Sequence, residues 1–99
     1  VIKGNDIQLT AAGSITNMRS IQATQDVSLM AHQDVYNNGD IDAKKNVLIM
    51  TEKGSVLNPG KLESGDAVTI DAKENVVNLG DAITADGDIR MKAGIRFGM

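Results

Sequence analysis

One histidine and two close pairs of aspartates are the residues of this 99-residue chain whose types and spacing suggest chemistry. His32 has the side chain best suited to proton transfer near neutral pH, and imidazole is also a common metal ligand. The pairs Asp40/Asp42 and Asp86/Asp88 are of the kind with which some β-helical enzymes cleave polysaccharides. Each of these groups needs partners and a shielded cleft, so the elements that position it decide what it can do.

Other chemistries have no starting motif in the sequence. There is no GxxxxGK[ST] phosphate loop and no GxSxG nucleophile turn. Cysteine is absent, which excludes structural disulfides and thiolate metal ligands. The calcium β-roll pattern G-G-x-G-x-D is also absent, which leaves only incidental, weak Ca²⁺ binding near Asp86-Gly87-Asp88. We therefore predict no catalytic, cofactor or dedicated metal site.

Charge and hydropathy narrow the partners. The formal net charge is −3, and the longest basic run, Lys44-Lys45, is not interleaved with aromatic residues. Nucleic acid is therefore not an expected partner, because phosphate binding needs a concentrated basic face. The longest apolar run, Val47-Leu48-Ile49-Met50, is far too short for a membrane span. Because the chain opens at Val1 rather than Met, and no signal peptide is visible, we expect a segment cut from a longer protein.

A repeat with a period of roughly 20 residues organises the whole chain. Its first column of aliphatic residues is Ile7, Val27, Val47, Val68 and Ile89. Two positions further on, the second column is Leu9, Leu29, Ile49, Ile70 and Met91. The third column is small, with Ala11, Ala31, Thr51, Ala72 and Ala93. Polar or variable positions alternate with these columns, which is the period of a β-strand with one buried face.

Two shorter alternating blocks complete each period. One begins at Ile15, Val35, Val56 and Val76, and the other begins at Ile21, Ile41, Leu62 and Ile83. Three short strands in so short a period keep their columns in register only if the chain coils and each strand lies on its equivalent in the previous coil. The prediction is an all-β, right-handed parallel β-helix of roughly four and a half coils, the hand following the general rule for parallel crossovers. We expect one unit, residues 1–99, with repeats at about 5–24, 25–44, 45–65, 66–86 and a partial 87–99.

Polar residues mark the corners between strands. Short side chains precede the first strand at Asp6, Asp26, Asn46 and Asp88, with Asp66 displaced by one position, and precede the second at Ser14, Asp34, Ser55 and Asn75. We expect them to satisfy local backbone donors at tight turns. One asparagine per coil follows the second block, namely Asn17, Asn37, Asn58 and Asn78. Stacked amides at one position predict a hydrogen-bonded Asn ladder.

Glycine and the insertions also fall at corners. Glycine recurs at Gly39, Gly60 and Gly80, whereas Arg19 occupies the same column in the first coil, so positive φ is not obligatory there. Insertions around Lys53 and Asp81 account for the two periods that are one residue longer than the others. Residues 94–99 shorten the expected spacing after Ala93, which predicts either an atypical coil or the point of the cut.

The period can be written G-D-I-x-L-x-A-x-G-x-I-x-N-x-G-x-I-x-A. It appears here as N-D-I-Q-L-T-A-A-G-S-I-T-N over residues 5–17, closed by I-Q-A over residues 21–23. It resembles the central repeats of filamentous haemagglutinin and its relatives, the large exoproteins of bacterial two-partner secretion, which include contact-dependent growth-inhibition proteins. The resemblance covers residues 4 to 94. It implies a parent exported through an outer-membrane transporter to the bacterial surface, where neighbouring coils form a shaft that presents adhesive or toxic modules.

The columns favour a scaffold over an enzyme. His32 falls at an outward corner with Ala12, Glu52 and Lys73, and no second His or Cys completes a ligand set. Asp42 falls in an outward column with Gln22, Glu63 and Thr84, where turn and surface roles are expected. An alternative is recognition of a glycan or receptor by an outward face. The outward first-strand column is chemically mixed, which argues against a periodic ligand: Gln8, Ser28, Leu48, Thr69 and Arg90.

Overall fold

A computed structural model of the chain describes residues 2–58, 60–78, 83–94 and 96–98, and this part contains β-strands and no helix. The strands are short because each ends at a corner rich in glycine and small polar residues. In chain order they are β1 (Ile2–Gly4), β2 (Ile7–Ala11), β3 (Ile15–Asn17), β4 (Ser20–Ala23), β5 (Val27–Ala31), β6 (Val35–Asn37), β7 (Asp40–Ala43), β8 (Val47–Thr51), β9 (Val56–Asn58), β10 (Lys61–Ser64), β11 (Val68–Ala72), β12 (Asn75–Asn78), β13 (Ile83–Ala85), β14 (Ile89–Ala93) and β15 (Arg96–Gly98).

These strands form three parallel sheets, each made of every third strand of the chain. The first face stacks β2, β5, β8, β11 and β14, the second stacks β3, β6, β9, β12 and β15, and the third stacks β1, β4, β7, β10 and β13. The third-face pairing from Ile2 to Ile83 spans four full turns. Strands β14 and β15 then add one more strand to the first face and one to the second. The sequence prediction of a three-sided parallel β-helix is therefore confirmed.

The register follows the sequence columns residue by residue. Ile7 pairs with Val27, which pairs with Val47, then Val68 and then Ile89. Insertion of a residue between Thr51 and Val56 falls at a corner and leaves the pairing of all three faces unchanged. A column therefore continues across the longer period because the extra residue lengthens a turn rather than a strand.

The interior is a stack of thin aliphatic layers. Leu29 and Ile49 are fully buried on the first face, as are Ile41 and Leu62 on the third. Each such side chain contributes about 1.5–3 kcal/mol by leaving water. The small column at the end of the first-face strands is also buried, with Ala31 and Ala72 packed where two sheets converge. A narrow triangular section explains how the chain builds a core with one Phe, one Tyr and no Trp.

The two ends of the chain differ from the sequence expectation. Strand β1 pairs with β4 and places Ile2 at the start of the third-face column that continues with Ile21, a position the repeat had not predicted. Strand β15 pairs with β12 and places residue 97 beside Val76. The spacing after Ala93 is therefore not shortened, because Phe97 continues the second-face column that contains Val76.

The predicted core columns are less buried in the outer coils than in the middle of the stack. Ile89 keeps its register with Val68 but is 42% exposed, and Ile2 at the opposite end is also 42% exposed. Leu9 and Met91 are half-buried against the core. Register is set by pairing with one neighbouring coil, whereas full burial requires a coil on both sides. Each end of the described stack thus presents an aliphatic surface.

Close approach between coils, rather than backbone conformation, explains the corner glycines. No described glycine has positive φ. A Cβ built at Gly39 would overlap the Arg19 carbonyl oxygen, and one built at Gly60 would overlap the Gly39 carbonyl oxygen. The glycine therefore faces the coil that precedes it in the chain, and Arg19 lies in the first coil of the described stack. Gly80, the third predicted member, lies outside the described residues.

Gly60→Ala is expected to destabilise the chain by about 1–3 kcal/mol, the usual penalty for forcing an extra methyl group into a packed contact. The matched control is Gly13→Ala, because nothing lies within 4 Å of a Cβ built at Gly13. Chemical denaturation monitored by far-UV circular dichroism measures both variants. Equal stabilities for the two variants would contradict the close-approach explanation.

Candidate functional site

The asparagine at the end of each second-face strand forms a buried ladder along the axis. Asn17 Nδ2 donates to Asn37 Oδ1 at 2.8 Å, and Asn37 Nδ2 donates to Asn58 Oδ1 at 2.7 Å. Asn37 and Asn58 are each only 1% exposed. The side-chain amide also bonds the backbone of the next coil, where Asn37 Nδ2 donates to the Lys61 carbonyl at 3.1 Å. Asn78 pairs with Asn58 through the backbone register, and its side chain lies outside the described residues.

The polar residues before each strand bond the next coil rather than their own turn. Asp26 Oδ1 accepts from the Asn46 amide at 3.0 Å, and Asp34 Oδ1 accepts from the Ser55 amide at 2.8 Å. The same arrangement holds for other members of the two columns, Asp6 with Asp26, Asn46 with Ala67, Ser14 with Asp34 and Ser55 with Asn75. The expectation that these side chains satisfy local donors is wrong for these six, since the donor in each bond belongs to the next coil. The corners therefore hold successive coils together. Asn75 Oδ1 is buried and has no hydrogen-bond partner among the described residues.

His32 lies at the outward corner that the sequence predicted, and it has a partner. Its Nδ1 lies 2.9 Å from Glu52 Oε2, with the two side chains 39% and 76% exposed. Sequence reasoning placed Glu52 in the same column but missed the contact. The signal was available, because equivalent positions of successive coils put the two side chains about 4.8 Å apart.

Asp40 and Asp42 point outward from β7 into an open, charged surface. Their strand partners on β10 are Lys61 and Glu63, whose side chains form an ion pair with Nζ to Oε1 at 2.7 Å. Asp40 is exposed and Asp42 is half-buried, so neither is enclosed as the acid of a carboxylate pair has to be. The environment of Asp40 and Asp42 is therefore that of carboxylates on a solvated surface.

Asp86 and Asp88 are also solvent-exposed corner residues. Asp88 Oδ2 lies 3.9 Å from Arg90 Nη2, and both side chains are about four-fifths exposed. Within the described ranges, no group of three or more His, Asp or Glu side chains is arranged to hold a metal ion. These two aspartates have the environment of ordinary turn residues.

A shallow groove of about 540 Å³ runs along the corner between the first and second faces. One wall is the outward column of first-face residues, with Met30 and Met50 paired in register. The other wall carries His32 and Glu52, and the small buried residues Ala31 and Thr51 form the floor. The groove exists because alternate side chains on a strand project to the same side with a small inward residue between them.

The outward columns themselves are chemically irregular. Along the first face, Ser28, Leu48 and Thr69 are half-buried, whereas Gln8 and Arg90 are exposed. No helix in the described part of the chain is long and apolar enough to cross a membrane. The regular features of the molecule are thus internal, in the core columns and in the ladders that join the coils.

Comparison with known proteins identifies the repeat. The haemagglutinin repeat family matches residues 4–58 and again residues 38–93, so the two matches share about one coil. A protein of Enterobacter cloacae subsp. cloacae named 16S rRNA endonuclease CdiA is 33% identical over 84 residues. That alignment covers 85% of this chain and 2% of the relative, so the chain spans a very small part of the relative's length. No solved structure gives a significant match.

Proposed function

This chain belongs to the haemagglutinin repeat family, and we propose that it is a non-catalytic segment of the shaft of a large exported bacterial exoprotein. The shaft would carry other modules away from the cell surface. Its immediate partners would be the neighbouring coils of the same parent chain. Export would proceed through an outer-membrane transporter of the two-partner type, which would place the shaft outside the cell.

The observation that carries this proposal is the equivalence of successive coils on all three faces. On the first face, the columns that begin at Ile7 and Leu9 run through five strands without a change of register. The Asn ladder and both corner columns add side-chain bonds between coils in the same direction. A structure whose bonds all repeat along one axis grows in length when coils are added, and it resists bending because every coil is bonded to the next on three sides.

Tandem copies of the chain test the shaft directly. Within the chain, the second-face residue Val35 is followed six positions later by the third-face residue Ile41. A linker of two glycines between copies gives the same spacing between Phe97 of one copy and Ile2 of the next. Since coils stack about 4.8 Å apart, small-angle X-ray scattering should show the particle lengthening by roughly 20–25 Å per copy at constant cross-section.

Scattering typical of separate folded units joined by flexible linkers would contradict the shaft. A matched control, Ile2→Asp in each copy, places a carboxylate inside the joined core and should lose the rod. One more glycine in the linker should keep the rod, because the step from Val76 to Ile83 is already one residue longer than the step from Val35 to Ile41.

For the parent we propose a filamentous adhesin that projects adhesive modules for attachment to host cells. The chemically mixed outward columns favour recognition by other regions rather than by this segment. A three-copy chain should therefore not bind host epithelial cells or a glycan array. Specific, saturable binding would instead support the alternative of a carbohydrate- or receptor-binding face. Polysaccharide turnover by the same chain would overturn the non-catalytic assignment.

One observation favours a second candidate, a shaft segment of a contact-dependent growth-inhibition exoprotein. The relative from Enterobacter cloacae carries a nuclease name, and this chain aligns with only 2% of it. Under this candidate a toxic activity would belong to another part of the parent protein. Sequencing the gene downstream of this segment separates the two candidates, because a C-terminal toxin module supports growth inhibition and its absence supports adhesion.

The isolated chain is expected to associate end to end. Ile89 and Ile2 expose aliphatic surface at opposite ends, and the outer strands β14 and β1 each have one unpaired backbone edge in the described stack. Analytical ultracentrifugation should show a weight-average mass that rises with concentration. Ile89→Asp should suppress the association, whereas Tyr36→Asp, a side-facing control that is 37% exposed, should leave it intact. A monodisperse monomer at high concentration would contradict this expectation.

A further inference from the structure

We propose that the groove along the corner between the first and second faces is a binding site for a soft monovalent metal ion, Cu(I), with Met30 and Met50 as thioether ligands and His32 as the nitrogen ligand. In the sequence, His32 has no ligand set as long as only His and Cys are counted as partners. The coil geometry adds the two methionines, which occupy equivalent positions of successive coils and are adjacent in space.

Register brings the three side chains together on one side of the sheet. Met30 and Met50 are directly paired on β5 and β8, so their backbones are about 4.8 Å apart. His32 is the second residue after Met30, which corresponds to about 6–7 Å along the chain and the same outward side. All three side chains line the same groove. The long, unbranched methionine side chains can close on one ion without moving the backbone.

The Glu52 carboxylate prepares the histidine for this role. An ionised carboxylate can only accept a hydrogen bond, so His32 must donate from Nδ1 at 2.9 Å to Glu52 Oε2. In the neutral ring this fixes the tautomer and leaves the lone pair on Nε2. A metal-binding histidine is commonly oriented in this way, with its other ring nitrogen held by a carboxylate.

The ligand types select the metal. Thioether sulfur is a soft ligand and favours Cu(I), whereas Ca²⁺ and Mg²⁺ require several oxygen ligands. The charged groups around the groove come from successive coils: Glu52 beside His32, Asp71 paired with Met50, and Lys73 next in the corner column after Glu52. The formal charges of these three groups sum to −1, which one bound monovalent cation balances.

Metal titration of the folded 99-residue chain tests the site. Ag(I) serves as a probe that does not change oxidation state, and Cu(I) is added anaerobically against a coloured competing chelator. We expect one ion per chain and shifts of the Met30 and Met50 ε-methyl NMR signals at one equivalent. The signals of Met18, which is 62% exposed at another corner, and of Met91 should not move at that ratio.

Variants assign the ligands. Met30→Leu, Met50→Leu and His32→Gln should each weaken binding at least tenfold, and Glu52→Gln should weaken it by about 10-fold or more through the histidine it orients. Met18→Leu is the matched control and should change affinity less than twofold. Far-UV circular dichroism confirms that each variant remains folded. The proposal is overturned if neither ion binds, if Met18→Leu weakens binding as much as the groove variants, or if Ag(I) shifts all methionine signals together.

Discussion

Val47→Asp is expected to destabilise the chain strongly at neutral pH. Val47 is 1% exposed and lies between Val27 and Val68 in the first core column. The carboxylate would have neither water nor a counter-ion inside the aliphatic stack, at a cost of about 4 kcal/mol or more. Small domains of this size have a total stability of about 5–15 kcal/mol, so this single change removes much of it. Thermal and urea denaturation measure the effect.

The adjacent residue provides the matched control. Leu48 lies on the same strand but points outward and is only half-buried, so Leu48→Asp introduces the same side chain on the solvent side. We expect a small loss of stability for Leu48→Asp, comparable to that of His32→Ala at the outer corner. If Val47→Asp and Leu48→Asp melted together, the assignment of inward and outward columns would be wrong.

Asn37→Ala should cost about 3 kcal/mol, although it removes only a small polar side chain. Asn37 is 1% exposed and is the central member of the Asn ladder. The substitution removes its bonds from Asn17 Nδ2, to Asn58 Oδ1 and to the Lys61 carbonyl. Buried polar atoms that lose a partner incur their full desolvation cost, which exceeds the net gain of making the bond. Urea denaturation at neutral pH measures the loss.

Two further variants distinguish the loss of the ladder hydrogen bonds from the loss of side-chain volume. Asn38→Ala changes the next residue, which is exposed, and should leave stability nearly unchanged. Asn37→Asp keeps the shape but replaces the Nδ2 donor with an oxygen that faces Asn58 Oδ1. Burial would raise the pKa of the new carboxyl group, so its destabilising effect should diminish as the pH falls and the group regains a proton to donate. Equal stability of Asn37→Ala and Asn38→Ala would exclude a structural role for the ladder.

The sequence by itself determined the coil, because a period of roughly 20 residues that alternates between apolar and polar positions has few other solutions. The columns of Ile7 and Leu9 lie where the spacing put them, and the insertion near Lys53 falls at a corner as expected. The prediction was less successful at the ends of the chain, where the second-face and third-face columns were recognised but Phe97 and Ile2 were not assigned to them. A terminal strand has a neighbouring coil on one side only, so a single spacing, rather than a run of spacings, has to identify it.

Only the tertiary structure decided what lies between coils. Sequence alone assigned the residues before each strand to local turns, yet Asp26 and Asp34 bond amides in the next coil. Position 60 requires glycine because a Cβ there would overlap a carbonyl oxygen of the preceding coil, and not because the backbone has a positive φ. The contact of His32 with Glu52 and the groove beside Met30 have the same origin. Periodicity fixes which residues share a column, whereas bonds and grooves depend on the distance and direction of side chains across the step of about 4.8 Å between coils, which a one-dimensional pattern does not contain.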